Sequence, residues 1–154
     1  MSSLPLITGL FFEDFQVGQK GTSATRTITE HDIVAFAGLS GDFNLIHVDA
    51  EFAKATPYGQ RIAHGLLGLA IASGLAVQTG VLGANVMAFR EVGEWKFIKP
   101  IFIGDTVHVE MEIAELKALR RLGGGLVAIA ISLNNQANET TMKGLWTLLV
   151  KFRG

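Results

Sequence analysis

With 154 residues the chain has the length of one domain, and 49% apolar against 18% charged residues is more hydrophobic material than the surface of a small monomer calls for. A net charge of −1 with no dense Lys/Arg block argues against a nucleic-acid partner. The absence of cysteine excludes disulfides, thiol nucleophiles and cysteine-held metals, and fits a reducing, cytoplasmic setting. The apolar surplus points to a subunit interface, for which a two-fold homodimer is the default expectation.

Met1 to Phe12 carries no cationic leader ahead of its apolar residues and no small-residue cleavage pattern, so it reads as mature sequence. No internal repeat or linker divides the chain, Pro5, Pro57 and Pro100 fall at plausible element boundaries, and one domain over residues 1–154 is expected. Phe11 to Phe15 with Val17-Gly18-Gln19 reads as an opening segment and turn, followed by a short polar strand from Gly21 to Ile28. Thr29 is then the N-cap of a helix whose first turn holds Glu30 and Asp32, carboxylates that oppose the positive end of the dipole. This helix is predicted to end near Ala37, with Ile33, Phe36 and Ala37 as its buried stripe. Gly38 and Gly41 then let the backbone turn into a loop from Asp42 to His47. Asp49 caps a second short helix, Ala50 to Ala55, which Pro57-Tyr58-Gly59 ends.

The stretch from Gly65 to about Thr79 is apolar on every side and kept slim by Gly68, Ala70, Ala72, Ser73, Gly74 and Ala76, which places it inside the molecule. Ile62 to Val77 is too short to span a bilayer, so no membrane partner is expected. Beyond it the period changes to two: Ala88–Val92, Glu94–Ile98, Thr106–Leu116, Leu126–Asn134 and Lys143–Phe152 all read as strands. The clearest sets Val107, Val109, Met111 and Ile113 on a dry face against His108, Glu110 and Glu112 on a wet one. Gly123-Gly124-Gly125 reads as a hairpin turn, and Gly104-Asp105 opens a strand. An apolar helix followed by antiparallel strands predicts an α+β fold, a curved sheet wrapped round that helix.

The polar groups with chemical potential are concentrated in two places. The string Phe36-Ala37-Gly38-Leu39-Ser40-Gly41-Asp42-Phe43-Asn44-Leu45-Ile46-His47 sets a carboxylate and an imidazole five residues apart, and His64-Gly65 opens the apolar helix. Gly65 can present an unpaired N–H at the positive end of the dipole, with no Cβ to block approach. Plainer readings stand beside these. Asp42 alone would suit an Asx-turn, and His64 a hydrogen-bonded core histidine that shapes the helix start. Ser73 reads as packing, His31 and His108 as solvent-facing, and Lys96, Lys99, Lys117, Arg120 and Arg121 as solubilising charge. Asp42, His47 and His64 have no tight ligand spacing of the His-x-x-x-His kind, so no metal is expected.

The Gly41-Asp42-x-Asn44-x-x-His47 cluster, with Arg61-Ile62-Ala63-His64-Gly65 downstream, closely resembles the MaoC-like, (R)-specific enoyl-CoA hydratases of the hot-dog fold. Phe12-Glu13-Asp14-Phe15 with Val17-Gly18 is similar to the family's opening, and Lys99 to Val107 to its late strand start. The resemblance implies that Asp42 and His47 are the catalytic dyad, that Asn44 helps hold their loop, and that Gly65 donates to the thioester oxygen. It also implies that Ser73 matches a family serine near the catalytic Asp. Leu45 stands where the pattern usually has proline, which loosens the turn without deleting a catalytic group. The implied reaction is reversible addition of water to a trans-2-enoyl-CoA, with the acyl-CoA thioester as partner and no metal or redox cofactor. The alternatives are a dehydratase of another acyl-CoA or of an acyl carrier protein, a thioesterase on the same fold, and a non-catalytic acyl-CoA sensor or assembly subunit.

Overall fold

Thr29 starts the first helix as its sequence predicts. In the computed structural model, which describes residues 9–154, its hydroxyl accepts the Asp32 N–H at 3.3 Å and its own N–H is bound by Asp32 Oδ2 at 2.8 Å. These reciprocal bonds satisfy two donors at the start of α1, Glu30–Ser40. Burial is the largest influence on Asp32 and disfavours its charge. The Thr29 backbone and hydroxyl and the Arg26 guanidinium, 2.6 Å away, outweigh it and hold the carboxyl below its ordinary value of 3.8. The helix runs three residues past the predicted end at Ala37, because Gly38 is accommodated within it and the left-handed stop comes only at Gly41, φ 78°. Ile33 and Ala37 are buried as expected and Phe36 partly so. The expected boundary at Pro5, and the reading of the first eight residues as mature sequence, lie outside the described residues.

The predicted loop from Asp42 to His47 is a loop only as far as Asn44. Leu45–Val48 forms a single helical turn, α2, capped by the Asn44 side chain, whose Oδ1 accepts the Ile46 N–H at 3.1 Å. Leu45 takes the first helical position, where a proline's missing N–H would cost nothing. Asp49 then caps α3, Ala50–Lys54, by accepting the Phe52 N–H at 2.9 Å. The long apolar helix α4 spans Gly65–Gln78.

The predicted polar strand divides into β1, Lys20–Thr22, and β2, Arg26–Thr27. Between them Ser23 Oγ captures the Val109 N–H at 2.8 Å, a donor that would otherwise continue the ladder. The two predicted strands before Pro100 are one, β3, Val86–Phe97, whose alternation is broken by bulges where Glu94 takes φ 50°. β4, Thr106–Leu119, has the predicted dry row of Val107, Val109, Met111 and Ile113. His108 on its other face is only partly exposed, 3.8 Å from Glu110, rather than solvent-facing. In the glycine triplet only Gly123 turns, at φ 68° after a 3-10 turn over Arg120–Leu122. Gly124 and Gly125 already belong to β5, Gly124–Asn134, where a Cβ on Gly125 would stand 2.3 Å from the Phe12 ring. β6 spans Thr140–Lys151.

The six strands are antiparallel in the order β1-β4-β5-β6-β3, with β2 added on β4. The sheet lies against α4 in the hot-dog arrangement that the sequence implies. Leu67, Ile71, Ala72, Leu75 and Ala76 of α4 join Val107, Val109, Ile129, Ile131, Leu133 and Trp146 in one core. Gly68 lets helix and sheet touch, since a Cβ there would meet Met142 Cε at 2.4 Å. The helix is not enclosed all round as its composition predicts: Leu66 and Val77 are more than half exposed in the single chain. The β3 edge likewise carries half-exposed Met87, Phe89 and Val92. No helix among the described residues is long and apolar enough to cross a membrane.

Candidate active site

The segment holding Asp42 is built from short polar turns. Ser40 Oγ accepts the Asp42 N–H at 3.1 Å while donating to the Phe36 carbonyl at 2.7 Å, and Asp42 Oδ1 accepts the Asn44 N–H at 3.2 Å. Asp42 is thus an Asx-turn residue, as its plainer reading had it, but its exposed carboxylate also stands beside two imidazoles. Asn44 helps hold the segment by capping α2, which carries His47.

His47 Nδ1 lies 2.8 Å from the Ile62 carbonyl, and His64 Nε2 lies 2.9 Å from the Asp42 carbonyl. A carbonyl only accepts, so each of these nitrogens carries the hydrogen. In the neutral rings, His47 Nε2 and His64 Nδ1 therefore keep bare lone pairs, and the latter is buried with no hydrogen-bond partner among the described residues. The two rings stack with centroids 3.8 Å apart and planes 27° from parallel, and Phe36 covers His64 from 5.0 Å. One nitrogen from each ring and a carboxylate oxygen of Asp42 all lie within 4.8 Å of one another.

His64 is also the N-cap of α4, and its side chain does not cap the helix. The first-turn N–H groups have no acceptor within the helix, so the positive end of the dipole is available to an oxygen. The segment leading in is fixed by the Ala63 N–H on the Ile101 carbonyl at 2.8 Å and by Arg61 on Glu30 at 2.6 Å. His64 and Gly65 line a cavity of about 490 Å³, otherwise walled mainly by apolar groups including Tyr58, Leu66, Phe97 and Met142. The Phe97 ring rests against Gly65, where a Cβ would stand 2.7 Å from Cε1, so this approach requires glycine.

Of the residues singled out in the sequence, Asp42, Asn44, His47, His64 and Gly65 come together. Ser73 does not join them within the chain: it lies two turns along α4 and lines a separate apolar cavity of about 420 Å³ with Val77, Phe89 and Trp146. Three contributors had no sequence signal as site residues: the Ile62 carbonyl, Phe97 and Tyr58. Asp42, His47 and His64 have no tight ligand spacing in sequence, yet the fold brings these three ligand-type side chains together from two segments. An activated water, a proton carrier and donors for a developing oxyanion would all fit this arrangement.

The sequence matches the MaoC like domain family over residues 14–134. It is 38% identical over 118 residues to the 3-hydroxybutyryl-CoA dehydratase of Methylorubrum extorquens, covering 77% of this chain and 73% of that protein. It is 32% identical over 144 residues to the (R)-specific enoyl-CoA hydratase of Rhodospirillum rubrum, covering 94% of each. Among solved structures, a monoamine oxidase regulatory protein from Archaeoglobus superposes with a TM-score of 0.88 at 35% identity, covering 95% of this chain and 97% of that one.

Proposed function

The chain belongs to the MaoC-like domain family, and from that premise we propose that it is a hydro-lyase converting trans-2-enoyl-CoA and water reversibly to (R)-3-hydroxyacyl-CoA. Relatives named as an (R)-specific enoyl-CoA hydratase and a 3-hydroxybutyryl-CoA dehydratase support the reaction class. The observation that carries the reading is the convergence of Asp42 and His47 beside the uncapped start of α4.

In this mechanism the thioester carbonyl lies at the helix start and the Gly65 N–H stabilises the charge that develops on its oxygen. Asp42 and His47 hold a water over C3. They take one of its protons as the hydroxyl adds there and return a proton to C2, so the atoms of water are conserved across the former double bond. Positioned acid–base groups supply roughly 10² to 10⁴ in rate, and an oxyanion donor about 10² to 10³. His64 orients both partners, its ring stacked on His47 and its N–H holding the Asp42 carbonyl. The chemistry is acid–base throughout and calls for neither metal nor redox cofactor. The acyl-CoA thioester is the partner, and the apolar β3 edge suits pairing with a second copy in a homodimer.

Purified protein mixed with crotonyl-CoA is expected to remove the conjugated-enoyl absorbance. Asp42→Asn and His47→Gln should each lower kcat by roughly 10² to 10⁴. Full activity in either variant rejects the dyad, and release of free thiol instead of hydration assigns a thioesterase.

A further inference from the structure

The two cavities beside α4 lie along the same side of it. The one at the helix start touches Gly65 and Leu66 and is walled on the sheet side by Phe97; the far one touches Ser73 and Val77 and is walled by Val86 and Phe89. Phe97 and Phe89 both belong to β3, so one helix and one strand flank both cavities. Gly65, Leu69, Ser73 and Val77 follow at intervals of four, which sets them in one row along the helix surface. Leu69 therefore stands between the two cavities, partly buried and packed against the core. The far cavity, about 420 Å³, has the lining of a hydrocarbon site: apart from the Ser73 hydroxyl and the Trp146 indole N–H its side chains are apolar. Ser73, Gly83 and Ala84 keep it open where larger residues would close it.

We propose that the protein acts on medium-chain enoyl thioesters, whose tail passes Leu69 and ends in the far cavity, and that Leu69 sets how far the tail reaches. Ser73 comes eight residues after Gly65. That places it roughly 12 Å along the helix axis, the extended reach of about ten acyl carbons from a thioester carbonyl held at Gly65. Burial drives the selection: each methylene taken out of water is worth roughly threefold to fourfold in binding. A tail that stops in the first cavity forgoes what the second offers. The preference in turnover rests on the hydratase reading above. The hydrocarbon site stands without it.

The test compares crotonyl-CoA, trans-2-decenoyl-CoA and trans-2-tetradecenoyl-CoA as substrates of the full chain. From the first to the second, kcat/KM is expected to rise about tenfold or more, and to fall again with the third, whose tail overruns the cavity. Leu69→Trp, which blocks the passage, should lower the decenoyl-to-crotonyl ratio about tenfold or more. Ala84→Phe, on the exposed loop that lines the far cavity, should move the optimum to shorter tails. Binding is read separately by tryptophan emission, because Trp146 lines the far cavity and Trp95 is the only other tryptophan. Saturated decanoyl-CoA should shift that emission and butyryl-CoA should not. Equal kcat/KM for crotonyl-CoA and decenoyl-CoA, or a ratio unchanged in both variants, overturns the proposal. If Leu69→Trp fails to fold, Ala84→Phe decides alone. Hydration indifferent to tail length removes the far subsite and keeps the hydratase; an emission shift with decanoyl-CoA but turnover of no thioester does the reverse.

Discussion

His64 connects every part of the candidate site: it stacks on His47, holds the Asp42 carbonyl, and directly precedes Gly65. Replacing it with leucine keeps apolar bulk but deletes the N–H, a net loss of about 0.5–1.5 kcal/mol from the placement of Asp42. His64→Leu is therefore expected to lower kcat more than it raises KM. His64→Gln, whose amide can donate to the same carbonyl, should recover part of the loss. Equal kcat in the two variants would show that the hydrogen bond has no positioning role. The sequence made the side chains themselves legible, because a carboxylate and an imidazole around a glycine bend are rare in so apolar a chain. It could not reveal that a backbone carbonyl fixes the His47 tautomer: Ile62 offers the same carbonyl as any residue, and it is the tertiary contacts, the Ile62–Phe102 bridge and the Ile62 N–H on the Ile46 carbonyl, that bring it into reach.

Among the elements, α1 was the most legible at its start and the least at its end. Thr29 and Asp32 form a cap from adjacent residues, so local sequence suffices; the stop depended on which of two glycines became left-handed. The cap also gives the protein an acid-sensitive element. Asp32 has a depressed folded pKa, so the unfolded chain binds its proton more readily. Its contribution is fully present above the ordinary value of 3.8 and is lost as pH falls through the lower folded value. Asp32→Ala is expected to cost about 0.5–2 kcal/mol near neutrality and to flatten this acidic limb in denaturant melts between about pH 3 and pH 7. An unchanged limb would assign the acid sensitivity elsewhere. The strands are legible in kind, but alternation breaks at bulges, so that the sequence of the single strand β3 has the pattern of two.

For the molecule as a whole, the architecture followed from one all-apolar helix and a run of period-two segments, because these leave few ways to bury the hydrophobic surface. The outward side of α4 was not legible: composition indicates that a face is apolar but not what covers it. Half-exposed Leu66, Val77, Met87 and Val92 fit a dimer whose thermal midpoint rises with protein concentration. Val92→Lys, on the β3 edge, is expected to shift the protein toward monomer in sedimentation while costing little intrinsic stability. A wild-type chain that sediments as a monomer at every concentration would remove the dimer.

The unevenness of β3 also bears on its chemical sociability. Its ladder to β6 slips at three places, and Glu94 sits in a left-handed kink. A flat ribbon of unrelated chain laid alongside would lose step within a few residues and leave amide groups unmatched. The crooked border thus works as a password: twelve residues of sticky backbone can stay uncovered during synthesis without recruiting passers-by, since only a strand bent in the same places can zip along it.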